Sequence, residues 1–168
     1  MPVEIDNRHP HLRVEKRRLA GWLRGVLGEL GRPRATVDVS LVDDDEIRAL
    51  NAQWRHVDAV TDVLSFPLED GAGPQLPGEL LGDLVISLDT AARQAAQMAA
   101  SHPCESYVLS DEVRFLACHG LLHLLGHGHD DPAEAEAMEA LERRFMATVT
   151  PLDPHDLDRA AHGSQGPA

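Results

Sequence analysis

The stretch HGLLHLLGHGHD, residues 119–130, closes an apolar helical pattern and contains four histidines. His119 and His123 are four residues apart, and on a helix this spacing places both imidazoles within reach of one metal ion. Gly126 is typical of a residue that ends a helix, so the chain turns there and His129 can return to the same ion. Three neutral imidazoles suit zinc and leave a fourth tetrahedral position open, as in catalytic sites. The sequence therefore predicts a catalytic site with one Zn2+ ion on His119, His123 and His129.

Two neighbours of this predicted site have open roles. His127 could be a ligand, a substrate contact or a surface residue, and we favour a role other than ligand because His129 fits the spacing of three-histidine sites better. Asp130 could orient a ligand imidazole through the ring nitrogen that does not face the metal. If the zinc is structural instead, it needs a fourth protein ligand, and His127 is then the best candidate.

The spacing H-x-x-x-H-x-x-G-x-x-H is also that of a class of zinc proteases, the metzincins. Those enzymes place a glutamate directly after the first histidine, where it acts as the general base. This chain has Gly120 at that position. A zinc metalloprotease-like hydrolase is therefore the alternative rather than the first expectation.

Outside this stretch, strand and helix patterns alternate early in the chain, and helices dominate late. Helical patterns occupy 14–30, 43–54, 89–101, 111–125 and 132–149, and strand patterns occupy 3–5, 36–42, 61–67 and 84–87. We expect a single-domain α+β fold, with a small mixed β-sheet, packed helices and a central, zincin-like helix that carries the metal-binding histidines. Residues 1–150 are predicted to form this domain, and residues 151–168, with few large apolar side chains, a disordered tail.

Charge and hydropathy limit the possible partners. The 168 residues carry a formal net charge of −13, which argues against simple electrostatic binding of nucleic acid or an anionic membrane. Residues 1–34 have eight Lys or Arg against four acidic residues, so we expect an anionic partner to meet this segment first. No apolar run approaches the roughly 20 residues of a membrane span, and the polar N-terminus does not have the pattern of a signal peptide. We expect a cytoplasmic protein.

Several separated motifs occur in a fixed order along residues 35–148. They are Leu50-Asn51 with Trp54-Arg55, TDVLSFP at 61–67, GDLVIS at 82–87, and HGLLHLLGHGH at 119–129, which Met138, Leu141 and Glu142 follow. In all of these motifs the chain resembles the YbeY family, the bacterial rRNA-maturation endoribonucleases. It departs from the family pattern at Gly128, where the family usually has aspartate, and at Ala59-Val60, where a Lys-Pro or similar pair often stands.

The resemblance implies a single-strand-specific, metal-dependent endoribonuclease that acts in 16S rRNA 3′-end maturation and ribosome quality control. It implies one zinc ion on His119, His123 and His129, and a catalytic role for Arg55. The planar guanidinium matches phosphate and would stabilise the charge of the transition state, although a structural ion pair is the alternative for this residue. The implied partners are single-stranded RNA, 16S rRNA and the ribosome or its proteins, with neither a membrane nor DNA expected. A non-catalytic ribosome-assembly module with structural zinc remains a further alternative.

Overall fold

A computed structural model describes residues 3–68 and 80–159 of the chain. The helices are α1 (Lys16–Glu29), α2 (Asp44–Arg55), α3 (Leu88–Ser101), α4 (Leu109–Leu124) and α5 (Pro132–Met146). The strands are β1 (Val3–Asn7), β2 (Thr36–Val42), β3 (Val63–Pro67) and β4 (Leu80–Ser87). This order confirms the predicted α+β fold. Over the described residues, no helix combines the length and the apolar character that a membrane span needs.

The four strands form one mixed sheet in the order β1-β2-β4-β3. β1 and β4 both run parallel to β2, whereas β3 is antiparallel to β4. In the β3–β4 register, Ser65 pairs with Leu84 and Val63 with Ile86. The mixed sheet is the one that the sequence predicts, and its β3–β4 half lies against α4.

Helix α4 lies close to the sheet because Gly120 has no side chain. A Cβ at this position would lie 2.7 Å from Leu84 Cδ2 and 3.1 Å from Ser65 Oγ, so another residue would require the helix or the Leu84 side chain to shift. Residues 115–122 of α4 are all buried. The close contact fixes the depth of α4 in the molecule, and with it the position of the histidines near its C-terminal end.

The segment after α5 folds back onto the domain. A short 3₁₀ turn covers Pro154–Asp156, and the Arg159 side chain is buried against Glu112 of α4. The sequence predicts disorder from residue 151 onward because the segment is poor in apolar residues, but residues 151–159 are held by the Arg159–Glu112 pair and by Leu152 and Leu157, which pack against an apolar cluster. Residues 160–168 lie outside the described part of the chain, so for them the predicted tail stays a prediction, as does the domain limit at residue 150.

Candidate metal centre

The structure brings His119, His123 and His129 together, as the spacing predicts. One ring nitrogen from each forms a group in which all three atoms lie within 4.8 Å of one another. The Nε2 atoms of His119 and His123 are 3.0 Å apart, close to the roughly 3.3 Å that tetrahedral zinc with bonds of about 2.0–2.1 Å requires. His119 is buried, His123 half-buried and His129 exposed. The chemistry of this donor set fits zinc on a site that is open to solvent on one side.

The turn after α4 explains how His129 returns to the group. Gly126 has a φ of +98°, and its N–H donates to the His123 carbonyl at 3.0 Å. The His127 N–H donates to the Leu122 carbonyl at 2.9 Å, which completes a Schellman motif. The turn brings the His127 carbonyl to 3.0 Å from His123 Nδ1. His123 Nδ1 can therefore hold its proton against this carbonyl, which leaves the lone pair of the ring on Nε2, the nitrogen that faces His119.

Glu142 on α5 is the acceptor that faces Nδ1 of His119, just as the His127 carbonyl faces Nδ1 of His123. Its Oε2 lies 2.6 Å from His119 Nδ1, and both side chains are 2% exposed. Burial alone would raise the pKa of Glu142, but its contacts with His119 and His155 outweigh this effect and lower the pKa to about 2. From the sequence, Asp130 is a residue that could orient a ligand imidazole, and its side chain is exposed. Glu142 stands in the sequence only as a motif residue, because no local spacing reveals a partner on the next helix.

Arg55 is the last residue of α2 and reaches strand β3. Its guanidinium donates to the Ser65 carbonyl, and its Cζ lies 5.3 Å from the centre of the Phe66 ring. Burial lowers the pKa of Arg55, which still leaves it charged at neutral pH. Within residues 3–68 and 80–159 no carboxylate pairs with it, which argues against the structural ion pair.

Ser65 links the surroundings of Arg55 to the histidine helix. Its backbone carbonyl accepts from Arg55, and its Oγ donates to the Gly120 carbonyl at 3.3 Å. Gly120 directly follows His119 in α4 and faces the sheet, where there is no room for a side chain. A glutamate at this position could not act as the general base of a zinc protease, so the geometry disfavours that alternative.

A cleft of about 480 Å³ opens beside the three histidines. His119, His129 and Glu142 line one part of it, and His155 and Arg159 of the C-terminal segment line another. Sequence patterns predict no role for His155, since it lies in a polar segment without ligand spacing. The cleft lies where a substrate could approach the open side of the histidine group.

Comparison with known proteins agrees with the motifs. A family model described as Endoribonuclease YbeY matches residues 4–150. A protein named Endoribonuclease YbeY from Anaeromyxobacter sp. (strain Fw109-5) is 46% identical over 142 residues, which are 84% of this chain and 69% of the relative. One of the same name from Halorhodospira halophila is 42% identical over 144 residues, 84% of this chain and 87% of the relative. A solution structure from Thermotoga maritima shares the fold, with a TM-score of 0.58, 24% identity and 86% of both chains covered.

Proposed function

This chain belongs to the YbeY family, and from that membership we propose that it is a single-strand-specific, metal-dependent endoribonuclease acting in 16S rRNA 3′-end maturation and ribosome quality control. Its substrate would be RNA, reached in the cytoplasm on or near the ribosome. The observation that carries the proposal is the group of three imidazoles with converging nitrogens. In two of these imidazoles, those of His119 and His123, the Nδ1 atom faces a hydrogen-bond acceptor.

In this proposal His119, His123 and His129 hold one zinc ion. When bound there, the ion supplies Lewis acidity, which lowers the pKa of water and polarises a phosphoryl oxygen. Glu142 and the His127 carbonyl keep the protons of His119 and His123 on Nδ1, so that both Nε2 atoms carry a free lone pair. These contacts also hold both rings in the orientation that ligation needs.

Arg55 would bind the scissile phosphate. Its planar fork of N–H donors matches a phosphate, and its charge would stabilise the extra negative charge that develops as the phosphodiester is attacked. The Ser65 carbonyl occupies one N–H group and so fixes the side chain beside strand β3. Over residues 3–68 and 80–159 no other acceptor is recorded for this guanidinium, so its remaining donors would be available to a substrate.

The test is cleavage of an end-labelled single-stranded RNA by zinc-loaded protein, with His123→Ala and His11→Ala purified in parallel. His11 is exposed and lies outside the metal group, so it is the matched control. Cleavage by wild type and His11→Ala that disappears in His123→Ala and with chelator would support the proposal. Equal cleavage by His123→Ala would contradict it and point to a contaminating nuclease.

A different outcome would favour the structural-zinc alternative. If the wild type binds one zinc ion but cleaves no RNA, either free or presented in 30S ribosomal subunits, the ion has a structural role. The coordination shell would then contain a fourth protein ligand, such as His127, in place of water. X-ray absorption at the zinc edge distinguishes four protein ligands from three with one oxygen.

A further inference from the structure

The segment after α5 reaches back to the carboxylate that holds His119. Glu142 Oε2 lies 2.6 Å from His119 Nδ1, and Glu142 Oε1 lies 3.1 Å from His155 Nε2. We propose that His155 is a positioning residue for the metal centre, which acts through Glu142 to fix the orientation of His119. This inference rests on the proposed metal site and adds to it a residue outside the histidine motif.

The two contacts of Glu142 have a mechanical consequence. A carboxylate with one partner can rotate about its terminal torsion, which is broad and soft. Glu142 has a histidine on each oxygen, so this rotation would break one contact or the other. Its Oε2 is therefore held opposite His119 Nδ1, and the His119 ring keeps its Nε2 directed at His123.

His155 is itself held in place by the helix that carries the metal group. Its ring packs edge-on against Phe115 of α4, with 5.5 Å between ring centres and 85° between ring planes. Its backbone N–H donates to Asp153 Oδ1 at 2.9 Å within the 3₁₀ turn. Over the described residues, the side chains grouped around a possible metal are His119, His123 and His129, so His155 supports the site without being a ligand.

A buried ion pair anchors the segment to α4. Arg159 donates to both carboxylate oxygens of Glu112 at 2.7 Å, and its Cζ lies 4.1 Å from the centre of the Phe115 ring. The Tyr107 hydroxyl also donates to Glu112, at 2.8 Å. Glu112, Phe115 and His119 follow one another at helical spacing, so anchor, packing surface and metal ligand lie on one face of α4. The segment is therefore anchored to the helix that carries His119 and His123.

The experiment is a double-mutant cycle on metal affinity in the full chain. The single variants are His155→Phe, which keeps an aromatic ring against Phe115 but loses the ring nitrogens, and Glu142→Gln. Zn2+ affinity is measured by competition with a chromophoric chelator, and the visible absorption spectrum of bound Co2+ reports the ligand geometry. Replacing the outer partner of a metal-bound histidine weakens affinity by roughly 10- to 100-fold. We expect about tenfold for His155→Phe, a larger loss for Glu142→Gln, and no further loss in the double variant.

His102→Phe is the matched control. His102 contacts the same segment through Asp156 at 3.3 Å but does not contact Glu142, so its replacement is expected to leave Zn2+ affinity and the Co2+ spectrum unchanged. His155→Gln, whose amide can donate to Glu142, is expected to restore part of the affinity. It also carries the test if His155→Phe fails to fold.

Three results would overturn the role of His155. These are wild-type affinity in His155→Phe, an equal loss in His102→Phe, and losses that multiply in the double variant. Wild-type affinity in His155→Phe would show that His155 does not affect metal binding. An equal loss in His102→Phe would assign the change in affinity to general packing. Losses that multiply would show that His155 does not act through Glu142. A wild-type chain that binds no metal would fail differently, because it would contradict the metal site of the proposed function itself.

Discussion

Each buried or half-buried imidazole of the metal group uses its two nitrogens for different tasks. Nδ1 of His119 faces a carboxylate and Nδ1 of His123 faces a carbonyl, while the two Nε2 atoms face each other at 3.0 Å. If neither Nε2 atom carries a proton, the two lone pairs repel at this distance, and a cation between them would remove that repulsion. The outer contacts therefore prepare the inner nitrogens for a metal ion.

Arg55 gives the sharpest prediction for a single residue. Arg55→Ala is expected to lower RNA cleavage by about 10²- to 10³-fold, the effect of removing one group that stabilises transition-state charge. Zn2+ affinity should not change, because Arg55 contacts Ser65 and Phe66 and is not part of the metal group. Single-turnover cleavage and zinc titration measure the two quantities separately.

The control for this prediction is Arg48→Ala on the same helix. Arg48 is exposed and pairs with Asp58 at 2.8 Å, so its loss should leave cleavage within about twofold of wild type. Full activity in Arg55→Ala with normal metal content would show that the guanidinium does not act on the phosphate.

At the level of elements, the contact between α4 and the sheet depends on Gly120. Gly120→Ala would place a methyl group 2.7 Å from Leu84 Cδ2, and overpacking of this kind costs about 1–3 kcal/mol of unfolding free energy. Gly25→Ala is the matched control, because a Cβ at Gly25 in α1 meets nothing within 4 Å. It should stabilise the protein by about 0.5–1 kcal/mol through helix propensity. Urea unfolding measures the free energy of unfolding of both variants relative to wild type. If both substitutions stabilise or both destabilise the protein, Gly120 is not needed for the close packing of α4 on the sheet.

The elements that sequence predicts well are those whose signals are local. The end of α4 shortly before Gly126 and the return of His129 follow from residues within one or two helical turns. The sequence did not predict that β3 is antiparallel and lies at the edge of the sheet, because strand pairing depends on contacts between residues far apart in the chain. The roles of Glu142 and His155 were missed for the same reason, since Glu142 meets His119 across 23 residues and His155 reaches the metal group only through Glu142.

At the level of the whole molecule, the charge is unevenly distributed. Lys16, Arg17 and Arg18 are exposed at the start of α1 in a chain whose net charge is −13. If RNA meets this surface, the triple alanine variant should bind single-stranded RNA more weakly. Its plot of log affinity against log salt should be shallower by about 2, since each phosphate contact contributes about 0.7. Filter binding over a range of KCl concentrations measures the slope, and parallel lines for variant and wild type would exclude this surface.

The end of the folded domain depends on whether the C-terminal segment contributes to its stability. If residues 1–150 fold independently, deletion of residues 151–168 should leave the free energy of unfolding unchanged. The buried contact between Arg159 and Glu112 predicts the opposite. Loss of one partner strands the other charge in the interior, which costs about 3–5 kcal/mol, so both the deletion and Arg159→Ala should destabilise the metal-free protein by this amount.

Two controls separate this effect from a general effect of charge. Arg144→Ala removes an exposed pair with Glu29, in which both side chains are 58% exposed, and should cost less than about 1 kcal/mol. Glu112→Gln combined with the deletion should recover part of the lost stability, because it removes the stranded carboxylate charge. If the deleted chain unfolds at the same urea concentration as the full chain, the segment is an appendage and the domain ends near residue 150. If the deleted chain is less stable and Glu112→Gln restores part of the lost stability, the C-terminal segment belongs to the fold that holds the metal group.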